Sequence, residues 1–99
     1  MSTFLTIQPA DLKARLDGGE QLVLIDVRED EEVAQGMIEG AIHIPLGQIS
    51  ERHNELPTAV EIIVICRSGG RSGRACEFLS ANGYNVTNMS GGMLEWAKL

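Results

Sequence analysis

Ile62-Ile63-Val64-Ile65-Cys66-Arg67-Ser68-Gly69-Gly70-Arg71-Ser72 is the stretch from which the fold is read. Four successive apolar residues predict a strand covered on both faces, as in a parallel sheet, where alternation would bury polar groups. The Gly-rich turn then breaks the strand. From Ser72 to Ala81 the residues Ala75, Cys76, Phe78 and Leu79 form an apolar stripe at helical spacing, and Asn82-Gly83 ends it. The unit is strand, turn, helix.

Outward from this unit the same alternation repeats. Leu22-Val23-Leu24-Ile25 is a second continuous apolar run, so both runs are expected to be central strands. Ala41-Ile42-His43-Ile44 is a weaker strand ending at Pro45, and Tyr84-Asn85-Val86 suggests a short strand nearer an edge. Pro9 to Leu16 places Leu12 and Leu16 at i,i+4 and stops at Gly18-Gly19, which predicts an amphipathic helix. Glu29-Asp30-Glu31-Glu32 follows the second strand, where four acids suit the positive end of a helix and read as its solvated start. The chain is expected to form one α/β domain over residues 1–99, without repeat, linker or low-complexity stretch.

Composition narrows the partners. The 99 residues carry a formal charge of −6, with 43% hydrophobic residues, and a domain of this size buries roughly two-thirds of the surface its unfolded chain exposes. An acidic surface argues against nucleic acid or an anionic membrane, since both need clustered cations. The N-terminal Met1 to Pro9 lacks a cationic start and a continuous apolar region of the signal-peptide kind, so a cytoplasmic location is the default expectation. Cys66 and Cys76, the two cysteines, are too few for a disulfide framework and are expected to be reduced thiols. With His43 and His53 they show no metal-ligand spacing, so no metal is expected.

One segment reverses the acidic pattern. Residues 62–76 contain Arg67, Arg71 and Arg74 and no acid, a local +3 that leaves −9 on the other 84 residues. It lies at the carboxyl end of a parallel strand, where open α/β sheets place ligands. Cys66 stands at a helix start beside guanidinium groups, a setting that lowers a thiol pKa from its usual ~8.5 and yields the nucleophilic thiolate. Gly69 and Gly70 let the backbone curl its N–H groups into an anion nest above Cys66, which Arg71 can close as a permanent cation.

The loop and three further segments resemble the rhodanese family of thiosulfate sulfurtransferases. The segments are Asp26-Val27-Arg28-Glu29, Gly36-Met37-Ile38-Glu39-Gly40-Ala41-Ile42-His43-Ile44-Pro45, and Asn88-Met89-Ser90-Gly91-Gly92-Met93-Leu94-Glu95-Trp96. The resemblance implies a five-stranded parallel sheet flanked by helices on both faces, with the cysteine at the base of a six-residue loop, here Cys66 to Arg71. It also implies that Asp26 braces the loop, here through Arg71, and that Arg28 is a scaffold residue first and a donor-binding residue second. Gly36-Met37 stands where many relatives have Gly-His, a departure expected to alter packing rather than catalysis.

Loop length separates two chemistries. Cysteine phosphatases and arsenate reductases of related fold use Cys-x5-Arg, a larger loop for a tetrahedral oxyanion. Here Arg71 lies five positions after Cys66 and Ser72 stands at the sixth, so a sulfur-sized pocket is favoured. The expected reaction is attack of the Cys66 thiolate on the outer sulfur of thiosulfate, departure of sulfite, and transfer of the sulfur to cyanide or a thiol. No general acid, base or cofactor beyond the covalent persulfide is needed. Backbone N–H groups of residues 67–71, including Ser68, would stabilise the persulfide, and Arg67 at the loop mouth would attract the anionic donor. Ser72 is expected to cap N–H groups or hydrogen-bond the loop. A carrier or binding module that holds sulfur for a protein acceptor, with slow turnover, is one alternative, and an arsenate reductase or phosphatase is the less favoured other. His43 reads as a satisfied structural histidine, Cys76 as buried filler with a resolving thiol as its alternative, and Trp96 as a packing anchor with the pocket wall as a second role.

Overall fold

The computed structural model describes residues 4–99. The signal-peptide reading of the N-terminal segment falls partly on residues 1–3, outside those described. Five strands, β1 (Leu5–Ile7), β2 (Val23–Asp26), β3 (Ile42–His43), β4 (Glu61–Ile65) and β5 (Asn85–Met89), form a parallel sheet in the order β1-β5-β4-β2-β3. The helices are α1 (Pro9–Asp17), α2 (Asp30–Val33), α3 (Ile49–Arg52), α4 (Gly70–Ala81) and α5 (Gly92–Trp96). Among the described residues no helix is long and apolar enough to cross a membrane.

The continuous apolar run of β4 follows from its place at the centre. Ile62 and Val64 join Ile25 of β2 and Ala75 and Leu79 of α4 in one core layer, while Ile63 and Ile65 join Leu24 of β2, Met89 of β5 and Leu12 of α1 in the other. All four β4 side chains from Ile62 to Ile65 are wholly buried, two on each face. Met93 and Trp96 of α5 pack against the second layer, which fits the packing role expected of Trp96.

Two strands differ from their sequence signal. β5 continues three residues past Val86, because Thr87 and Asn88 are polar yet buried with side-chain partners: Thr87 Oγ1 donates to Glu61 Oε2 at 3.0 Å, and Asn88 Nδ2 to the Gly69 carbonyl at 3.1 Å. The edge strand β1 exposes Leu5 at 69%, so its composition carries no burial pattern. Helix α4 begins at Gly70, two residues before the start expected at Ser72, with Gly69 as its left-handed cap at φ 105°. The register sets Asp26 beside Ile65, so the carboxyl ends of β2 and β4 bring residues 26–28 and the Cys66 loop together.

Candidate active site

Cys66 immediately follows β4 and is buried at the floor of the loop. The positive φ of Gly69 turns its N–H back onto Cys66 Sγ at 2.9 Å. The Ser72 hydroxyl lies 3.3 Å from the same sulfur, and the backbone N–H groups of Ser72 and Ser68 also serve it. Burial pushes this thiol up, but the Ser72 hydroxyl and the three backbone donors outweigh it and hold the pKa below the ordinary thiol value. The sulfur therefore sits in a cup of N–H and O–H donors at the start of α4, an arrangement matched to negative charge on sulfur.

Ser72 is itself held in place. Its hydroxyl has Cys66 Sγ, the Gly69 carbonyl and Asn88 Oδ1 within reach, and Asn88 ties the same carbonyl through Nδ2. Sequence reasoning does not distinguish Asn88 from the rest of its motif. Its signal is a polar residue directly ahead of an apolar one and a turn, which resembles an ordinary strand end.

The cations fall out differently from expectation. Arg71 does not reach Asp26; its guanidinium donates to Glu32 Oε1 at 2.6 Å and Oε2 at 2.7 Å. Asp26 is instead claimed by its near neighbour Arg28, through the backbone N–H at 3.1 Å, Nε at 2.9 Å and Nη2 at 2.8 Å. Two residues of separation at the end of β2 make that pairing local, whereas Arg71 projects from the first turn of α4 toward α2. Arg28 Nη2 also donates to the Gly36 carbonyl at 2.8 Å, so Asp26 and Arg28 pin the 36–40 segment beside the loop. Glu32 is thus more than part of a solvated helix start. Arg71 first, and the Glu29 N–H second, hold its carboxyl down to about 2.

The opposite wall is α5. Its Met93 and Leu94 N–H groups donate to the Cys66 and Arg67 carbonyls at 2.8 and 3.0 Å. Gly92, at φ 59°, makes this approach possible: a Cβ there would lie 2.5 Å from the Arg67 carbonyl and 2.6 Å from that of Cys66. The Gly91-Gly92 pair after a strand is the sequence signal for such a contact.

Arg67 and Ser68 are exposed at the mouth, and among the described residues the Arg67 side chain has no hydrogen-bond or ion-pair partner. Beside the loop opens a cleft of about 420 Å³, with Arg28, Arg67, Glu31 and Glu32 on its polar side and Met93 and Leu94 on its apolar side. Trp96 lines a different cleft of the same volume with Lys13, Asp17, Met37 and Glu39, one that no residue of the Cys66 loop lines. His43 Nε2 bonds the Arg28 carbonyl at 2.7 Å, a structural role. Cys76 is buried on α4, and burial, helped by the nearby Cys66 charge, pushes its thiol up to about 12. Among the described residues no three His, Cys, Asp or Glu side chains gather as a metal site.

Comparison with known proteins agrees with this architecture. The model of the Rhodanese-like domain matches residues 8–99. The protein named "Putative sulfurtransferase YtwF" from Bacillus subtilis (strain 168) is 48% identical over 90 residues, covering 91% of this chain and 87% of its own. A "Sulfurtransferase" of Allochromatium vinosum is 40% identical over 93 residues, covering 93% and 87%. The crystal structure of a rhodanese-like domain protein from Staphylococcus aureus superposes with a TM-score of 0.90 at 34% identity, covering 94% of this chain and 91% of that one. With the sheet order, the cysteine-centred loop and a family match that spans nearly all of its length, the chain belongs to the rhodanese-like domain family.

Proposed function

We propose that this chain is a sulfurtransferase that carries a sulfane sulfur from thiosulfate, or a related persulfide donor, to cyanide or a thiol through a persulfide on Cys66. The observation that carries the reading is the donor cup: three backbone N–H groups and the Ser72 hydroxyl converge on one buried sulfur. Relatives named as sulfurtransferases point the same way.

In the first half-reaction the Cys66 thiolate attacks the outer sulfur of thiosulfate, and the bond to the sulfonate sulfur breaks with its electron pair leaving on sulfite. In the second, cyanide or a thiolate attacks the terminal persulfide sulfur, and the electron pair of the broken S–S bond returns to Cys66. A weakly basic leaving group and an ionised nucleophile make a general acid unnecessary. The donors that stabilise the thiolate also lie beside the terminal sulfur. The six-residue loop supports sulfur over phosphate chemistry, and the ion pair with Glu32 offsets the Arg71 charge that a phosphate oxyanion would draw on.

The test is thiosulfate:cyanide turnover of wild type, Cys66→Ser and Cys76→Ser, with intact mass after thiosulfate exposure. Wild type and Cys76→Ser are expected to gain one sulfur atom and turn over, and Cys66→Ser to do neither. Sulfur gained equally by Cys66→Ser would sink the mechanism. Persulfide formation with negligible turnover would favour the sulfur-carrier reading instead.

A further inference from the structure

The cleft that borders the Cys66 loop through Arg67 is lined by four charged side chains, and two of them are already committed. Arg28 is spent on Asp26 and the Gly36 carbonyl, and Glu32 is spent on Arg71. The charges left over are Arg67, exposed on the loop, and Glu31, exposed on α2, neither with a side-chain partner among the described residues. The same cleft has an apolar lining of Met93, which is half-buried, and Leu94, which is 45% exposed.

We propose that this cleft selects its sulfur acceptor by charge, and that the preferred acceptor is a small zwitterionic thiol whose carboxylate meets Arg67 and whose ammonium meets Glu31. The aliphatic carbons of such a thiol lie against Met93 and Leu94. Glu31 is then a specificity-determining residue that disfavours purely anionic acceptors by like-charge repulsion. The inference rests on the proposed Cys66 persulfide. In the transfer step the acceptor thiol loses its proton to solvent, its thiolate attacks the terminal persulfide sulfur, and the S–S bond breaks with its electron pair on Cys66. The product is the acceptor's persulfide, and no external oxidant or reductant enters.

The experiment first loads Cys66 with thiosulfate and verifies the added sulfur by intact mass, then measures sulfur transfer to four thiols at matched thiolate concentration. These are 2-mercaptoethanol (neutral), cysteamine (cationic), 3-mercaptopropionate (anionic) and homocysteine (zwitterionic). Wild type is expected to favour homocysteine. Relative to 2-mercaptoethanol, Glu31→Gln should lower kcat/KM for cysteamine about threefold and Arg67→Gln that for 3-mercaptopropionate by a similar factor, as suits exposed charge pairs. Glu31→Lys, with two uncommitted cations on the cleft, should favour 3-mercaptopropionate over cysteamine. An acceptor ranking that is the same in wild type, Glu31→Gln and Glu31→Lys would overturn the proposal while leaving the persulfide intact. Absence of the added sulfur at the loading step would instead defeat the underlying sulfurtransferase reading.

Discussion

At Cys66 two opposed effects act on one sulfur. Burial disfavours the thiolate, and Ser72, Gly69 and Ser68 together favour it by more, so the balance depends on donors that can be removed one at a time. Ser72→Ala removes the one side-chain donor. A hydrogen bond to a charged group contributes roughly 1.5 kcal/mol or more, so the variant should form persulfide about tenfold more slowly at neutral pH. The inflection of its thiolate absorbance, taken as the difference from Cys66→Ser, should move to higher pH. An unmoved inflection would mean that the backbone donors alone set the acidity of Cys66. The same residue scale separates Cys66 from Cys76. Both are buried, but Cys76 lies on the apolar face of α4 without a donor cup, and its pKa of about 12 keeps it protonated in the physiological range.

Among the elements, α5 is short yet decides the loop's position, because its first turn bonds the successive carbonyls of Cys66 and Arg67. Gly92→Ala should therefore cost more than the strain of a left-handed alanine. Gly40→Ala isolates that strain, at about 1 kcal/mol, because Gly40 has φ 86° and a Cβ added there would meet nothing within 4 Å. Gly92→Ala adds overlap with two backbone carbonyls and should lose at least about 3 kcal/mol and most persulfide formation. Urea unfolding of the two variants checks this, and equal shifts would refute a docking role for Gly92. These elements were unequally legible in the sequence. β2 and β4 were readable because a strand covered on both faces must be apolar throughout. β1, exposed at an edge, and the end of β5, where Thr87 and Asn88 are buried through hydrogen bonds, carry no such signal. Cys66 and its glycines were legible because loop chemistry is local. The partner of Arg71 was not, since Glu32 lies 39 positions away on an element whose placement only the assembled sheet decides.

Over the whole molecule the charge separation seen in the sequence is partly cancelled by folding. Of the three arginines in residues 62–76, Arg71 is neutralised by Glu32, so the surface near Cys66 is less cationic than +3 and Arg67 is the unpaired cation on its cleft among the described residues. The same pairing sets how stability depends on pH. Arg71 holds Glu32 at about 2, and Arg15 likewise holds Glu61 below the usual carboxylate range. A depressed carboxyl stabilises the fold fully above its unfolded value of ~4.3 and loses that contribution as pH falls toward the folded value. Side chains 31% and 27% exposed at Arg71 and Glu32 leave solvent screening in force, so their share is on the order of 1 kcal/mol. Cys76 acts at the other end with the opposite sign. Its unfolded thiol ionises near ~8.5 while the folded one holds its proton to about 12, so stability declines as pH rises between those values. The urea midpoint should therefore fall below about pH 5.5 and above about pH 9, with the depressed Cys66 thiol adding a rise between them as pH approaches its unfolded value. Glu32→Gln should shallow the acid limb alone, and Cys76→Ala the alkaline limb alone. An acid limb as steep in Glu32→Gln as in wild type would show that the tie between α2 and the loop contributes nothing to acid stability, and that Glu61 and other carboxyls carry it.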